Sequence, residues 1–239
     1  MDTVSEILEV GGDADETALR SPPVESYSWD TFTATVRKTA NLASGLGLRR
    51  GDTITVSDHD TPESLFFFLG ASLIGAQTVF GDGDEDATLT VTPCSETKDV
   101  SATRLCYGEK PDDPGVTHYE REIWGESPLF PSDRLSQPDD TVLLSGSRRY
   151  TQEELVTAAE EVADDYGIAE YDEAVTGSVS TPETLVAGIL APLISRTTVS
   201  LPGDGSRDSD TDTDTDSDAV LLRRGDTQRT LGIESVSIK

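Results

Sequence analysis

Apolar residues recur at helical spacing in two stretches of this chain that lie a little over one hundred residues apart. Phe32, Val36, Ala40 and Ala43 share one face in the first, and Leu155, Ala159, Val162 and Tyr166 share one in the second. The spacing predicts two helices that each bury a single stripe. Leu46-Gly47 and Tyr166-Gly167 follow them, and glycine supplies the left-handed residue on which helices commonly stop. Ahead of the second helix, Thr151-Gln152-Glu153-Glu154 has the order of a capping box. A further helix follows in each stretch, opening on Thr61-Pro62-Glu63 and on Thr181-Pro182-Glu183. That order puts a hydroxyl at the cap, proline at the first helical position and an acid in the first turn.

Short runs rich in β-branched residues alternate with these helices: Ile54 and Val56, Val175 and Val179, Thr78 to Phe80, and Thr197 to Leu201. Strands and helices in that order predict parallel crossover units. The fold class is therefore α/β, with two duplicated helix-strand-helix-strand lobes on largely parallel sheets. The lobes are expected at 28–139 and 140–203, the first ending in a long irregular connection that Tyr107, Tyr119, Trp124 and Phe130 pin down. Residues 1–27 read as a short helix at Val4 to Val10 followed by an extended lead-in that adds little core. Residues 204–218 alternate aspartate with serine and threonine and read as a disordered acidic linker. Residues 219–239 read as a terminal β-hairpin about Gly225-Asp226.

Charge changes the picture more than length does. The 239 residues carry 46 acids against 18 bases, a net charge of −28, and 14 of the bases are arginine. Such a surface repels itself unless salt screens it, so the composition is that of a protein adapted to molar salt. It disfavours nucleic acid and anionic membrane as partners. The amino terminus lacks a basic segment followed by an apolar one, and Leu65 to Ala76 is too short to span a bilayer; a cytoplasmic location is expected. Cys94 and Cys106 have neither a Cys-x-x-Cys spacing nor nearby histidines, so they read as two ordinary thiols and no metal site is expected.

Trp29, Leu46-Gly47, Gly51-Asp52 and Gly75-Ala76 follow one another as the scaffold motifs do at the start of the adenylate-forming enzymes. In this respect residues 28–80 resemble the amino-terminal domain of that acyl-CoA synthetase, or AMP-binding, superfamily. Ala187-Gly188-Ile189-Leu190-Ala191-Pro192-Leu193 is similar to the apolar helix that comes after the family's phosphate-binding loop. The resemblance implies ATP or AMP with magnesium as cofactors, and a Ser/Thr/Gly-rich loop with a lysine to hold the triphosphate. At the matching place stands Ser145-Gly146-Ser147-Arg148-Arg149, shorter and without lysine. These five residues are the phosphate-binding candidates. His59, between a strand end and a helix start, is the candidate polar site residue, because ligands of parallel sheets bind at that edge; no residue is assigned a catalytic role.

Scaffold without loop points to a non-catalytic protein with a regulatory or assembly role, acting through a protein partner or as a homo-oligomer. The alternatives are a remnant enzyme that still binds a nucleotide or acyl ligand, and one half of a split ligase completed by a second polypeptide. Any activity would then resemble an acid ligase.

Overall fold

The computed structural model describes residues 1–21, 25–81, 86–96, 102–111, 113–131, 136–202 and 219–238. The expected acidic linker at 204–218 lies outside the described residues. In chain order the elements are α1 (Val4–Val10), β1 (Thr17–Ser21), β2 (Glu25–Ser28), α2 (Trp29–Gly45), β3 (Thr53–Val56), α3 (Pro62–Ile74) and β4 (Gln77–Phe80). There follow β5 (Leu89–Pro93), β6 (Thr103–Tyr107), β7 (Thr117–His118), α4 (Tyr119–Glu122), β8 (Thr141–Ser145), β9 (Arg148–Thr151) and α5 (Gln152–Tyr166). The last are β10 (Glu173–Thr176), α6 (182–194), β11 (Thr198–Ser200), β12 (Ala219–Arg224) and β13 (Thr227–Gly232).

The chain forms two compact units, one from Met1–Phe32, His59–Pro62 and Glu153–Lys239, the other from Thr33–Asp58 and Glu63–Gln152. Each has its own mixed sheet: in the first only β10·β11 and β1·β11 pair in parallel, against three antiparallel pairs, while in the second every pair but β8·β9 is parallel. The first orders its strands β13-β12-β10-β11-β1-β2, the second β7-β6-β5-β3-β4-β8-β9. In the second unit α3 is apolar all round, as a helix enclosed on every side must be: Leu65, Phe66, Phe67, Phe68 and Leu69 are all fully buried. Gly70 lets it approach α2, since a Cβ there would lie 3.1 Å from the Ala40 nitrogen.

The duplication is visible in the backbone. Both α3 and α6 stop on a left-handed residue, Gly75 at φ 79° and Arg196 at φ 59°. The hydrogen bonds correspond: Gly75 and Ala76 donate to Ser72 and Ala71, and Arg196 and Thr197 to Leu193 and Pro192. Thr181 caps α6 through reciprocal bonds with Thr184, as its Thr-Pro-Glu start predicts. Yet one more residue separates Thr181 from Arg196 than separates Thr61 from Gly75. The interior of α6, Leu185–Leu190, is a π-turn, the local geometry that absorbs a single inserted residue. Consequently the matching pair Thr78-Val79 and Thr198-Val199 is one residue out of structural register. Gln77 faces Thr53 across β3 and β4, whereas Thr198 itself faces Glu173 across β10 and β11.

Several expectations are corrected. The helix expected at Val4 to Val10 is present as α1, but the rest of the first 27 residues carry strands rather than an extended lead-in, because Leu19 of β1 pairs in parallel with Val199 and is fully buried. Residues 94–139 contain β6 and β7, which extend the parallel sheet beyond β5. Val179 is buried but lies in the loop after β10, not in the strand. Cys94 and Cys106 form a disulfide: parallel pairing of β5 with β6 places Thr92 opposite Cys106, and the Cys94 N–H bonds Tyr107 O, bringing the two α-carbons to 4.9 Å. Twelve residues of sequence separation gave no hint of that pairing.

Of the four aromatics expected to pin the connection, Tyr107 and Tyr119 do. The Tyr119 hydroxyl meets Thr39 Oγ1 at 2.8 Å and its ring lies 5.2 Å from Phe67. Trp124 instead projects into solvent, 81% exposed, with Lys38 Nζ 5.9 Å from its ring.

Candidate functional site

The five phosphate-binding candidates sit together on one hairpin. Ser145 ends β8 and pairs directly with Arg148, the first residue of β9, so only Gly146 and Ser147 lie between the strands. Gly146 supplies the turn with φ 58°, which glycine adopts without steric cost. All five residues are exposed. A phosphate cradle needs a run of backbone N–H groups converging on one point. Two residues between paired strands do not make such a run, so this turn does not fit a triphosphate.

The arginines diverge as neighbours on a β-ribbon must. Arg148 lays its guanidinium over the Tyr150 ring, 4.5 Å from the centroid. Arg149 donates from Nη1 to Gln77 Oε1 at 3.1 Å. The two guanidiniums therefore lie on different sides of the ribbon.

His59 belongs to the other unit. It lies in the loop 57–61 that follows the carboxyl end of β3, as the sequence implies, and it is exposed. The loop is tied down on both sides of the histidine. Ser57 is buried: its N–H bonds Val91 O at 3.0 Å, its hydroxyl meets Tyr107 Oη at 2.9 Å, and its carbonyl accepts the Ser64 hydroxyl at 3.2 Å. Beyond the histidine, Asp60 Oδ1 accepts the Val179 N–H at 3.0 Å. Ser57, Asp60 and Tyr107 thus position the loop, and sequence reading assigned none of them that part. Their partners are 50 and 119 residues away, so no local signal could have shown them. Among the described residues, no three His, Cys, Asp or Glu side chains are grouped to hold a metal ion, and no helix is long and apolar enough to cross a membrane.

Together these elements form an α/β fold with mixed, mostly parallel sheets, the fold of the amino-terminal domain of adenylate-forming enzymes. Solved structures of acyl-CoA ligases superpose on it. An anthranilate CoA ligase, AuaEII, in complex with anthranoyl-AMP matches with a TM-score of 0.70 at 16% identity, over 86% of this chain and 46% of the ligase. A benzoate CoA ligase from Burkholderia xenovorans matches at 0.69 and 19%, over 85% and 45%. MatB from Rhodopseudomonas palustris matches at 0.68 and 14%, over 84% and 44%. The chain therefore spans less than half the length of these enzymes, and what it shares with them is the fold. No protein-family model matches the sequence, and a comparison with curated protein sequences finds no match.

Proposed function

We propose that this chain is an acyl-CoA synthetase-like protein that acts without a phosphate-binding loop of its own, in a regulatory or assembly role rather than as a catalyst. The observation that carries the reading is the Ser145–Arg148 rung, which leaves a two-residue turn where the resemblance requires a cradle. In-line attack on an α-phosphorus depends on positioning and neutralising the triphosphate, and neither the turn nor the divergent arginines supply that. On this reading the fold is kept as a surface for a protein partner or a second copy of the chain.

The test is carboxylate-dependent exchange of pyrophosphate into ATP by the full chain in molar KCl with magnesium, using anthranilate and benzoate among the acids. The expected result is no exchange above the protein-free rate. Exchange that disappears in the Arg148→Ala, Arg149→Ala double variant would overturn the reading and favour a nucleotide-binding enzyme remnant. Thermal unfolding with magnesium-ATP or AMP gives an independent readout. A ligand that binds only the native state adds about 2.7 kcal/mol at 100 times its dissociation constant, and no such shift is expected here.

A further inference from the structure

A cleft of about 520 Å³ opens in the first unit where β1, β10 and β11 begin. This is the opposite edge from the one at which α/β sheets ordinarily receive ligands. The cleft is open to solvent and lined mainly by polar groups. Arg20, Arg196 and Arg223 all line it, a concentration of three guanidiniums on a chain of net charge −28.

Their pairing is incomplete. Glu173 alone serves two of them, with Arg20 Nη1 2.8 Å from Oε1 and Arg223 Nη1 3.6 Å from Oε2, and it also accepts the Ser200 hydroxyl at 2.5 Å. The other two carboxylates of the lining are taken by backbone: Asp172 Oδ2 accepts the Gly225 N–H at 3.3 Å, and Glu16 Oε2 that of Asp13 at 3.2 Å. Arg223 Nε is buried with no hydrogen-bond partner among the described residues. Arg196 makes no ion pair among them, and its Nη2 donates to Val10 O at 3.3 Å.

Arg196 carries a second, independent sign. It is the one non-glycine residue described with positive φ, at the position where the first repeat has Gly75. A side chain is uncommon at such a backbone, so an arginine where the helix stop would accept glycine invites the question of what its guanidinium does.

We propose that this cleft binds the phosphate or carboxylate group of a small metabolite, held by Arg196 and Arg223 with Arg20 at its side. Guanidinium forks match the paired oxygens of either group. Asp172 and Glu16 on the same lining repel further negative charge, so the ligand carries one anionic group and a nucleoside triphosphate is excluded.

The experiment follows the arginine Nε–Hε resonances of the full chain by NMR during titration with inorganic phosphate, acetate and ATP at fixed ionic strength. Saturable shifts are expected at Arg196 and Arg223, with phosphate or acetate as the stronger probe naming the ligand class, and none with ATP. Arg196→Gly should weaken the binding about tenfold to a hundredfold, the range for a lost charge-assisted hydrogen bond. The same variant should keep or raise the unfolding temperature, because glycine prefers that backbone. Absence of saturable shifts in the parent chain would overturn the proposal. So would unchanged affinity in Arg196→Gly, or a lower unfolding temperature together with unchanged affinity, which would leave Arg196 as a tether to Val10.

Discussion

Gly188 of the π-turn stands against Thr176 of β10 so closely that a Cβ on the glycine would fall 2.5 Å from the threonine Oγ1 and 2.7 Å from its Cβ. The hydroxyl cannot simply swing away, since it donates to Ser178 O at 2.8 Å. Gly188→Ala should therefore cost about 1–3 kcal/mol by overpacking, although alanine is the better helix former by about 1 kcal/mol. Gly45 at the end of α2 has nothing within 4 Å of a built Cβ, and Gly45→Ala should gain about 0.4–1 kcal/mol. Urea unfolding of both variants in molar KCl checks the opposite signs; effects of the same sign would refute the close-approach argument.

Trp29 and Trp124 report on different environments, the first 3% and the second 81% exposed. The Trp29 indole lies on the glycine pair at 11–12, and a Cβ on Gly12 would sit 2.2 Å from its Nε1. In a Trp124→Phe background, emission should come from Trp29 alone and peak at short wavelength. Adding Gly12→Ala should move that peak to the red and lower stability by about 1–3 kcal/mol. An unmoved peak would mean that the segment ahead of β1 does not seal the indole.

Gln152 is fully buried, and its amide donates to Ser72 O at 2.8 Å and to Ser136 Oγ. Gln152→Leu removes both bonds while filling similar space. Ser72 O keeps the Gly75 N–H as a partner, so the loss falls chiefly on the Ser136 hydroxyl. A cost of about 1–3 kcal/mol is expected for leaving a buried polar group unpaired, measured by denaturant midpoint; Gln152→Glu should be no milder, since it buries a charge.

The Cys94–Cys106 bond closes a short loop between neighbouring strands. Replacing both residues by serine should lower stability by about 2–4 kcal/mol and abolish the mass difference between reduced and non-reduced protein. Thiol trapping in intact cells extends the same assay to location, because disulfides persist in oxidising compartments and are rare in reducing ones.

Helix content was largely legible. Phe32, Val36, Ala40, Leu155 and Ala159 are all fully buried, as their spacing requires, because one face of a helix is a local property of the chain. The candidate site was legible only as a place. Ser145 to Arg149 do form the connection between two strands, and His59 does follow β3, yet the partners that orient them, Gln77, Tyr150 and the Asp60–Val179 bond, come mostly from distant segments. The arginine cleft gave no signal at all, since Arg20, Arg196 and Arg223 are scattered through the sequence.

What the sequence determined by itself was therefore whatever a few consecutive residues can enforce: the Thr-Pro-Glu starts, the glycine stops, the repeat and the alternation of helix with strand. Capping and left-handed backbone act within one turn, so they survive any tertiary arrangement. The tertiary structure decided which strands pair: β1 against β11, β6 against β5, and the hairpin of β12 and β13 against β10. With that pairing came the disulfide, the π-turn that takes up one extra residue, and the gathering of three arginines. Strand pairing is a choice among distant segments of similar composition, and it is settled by burial and register, neither of which any short stretch of this chain contains.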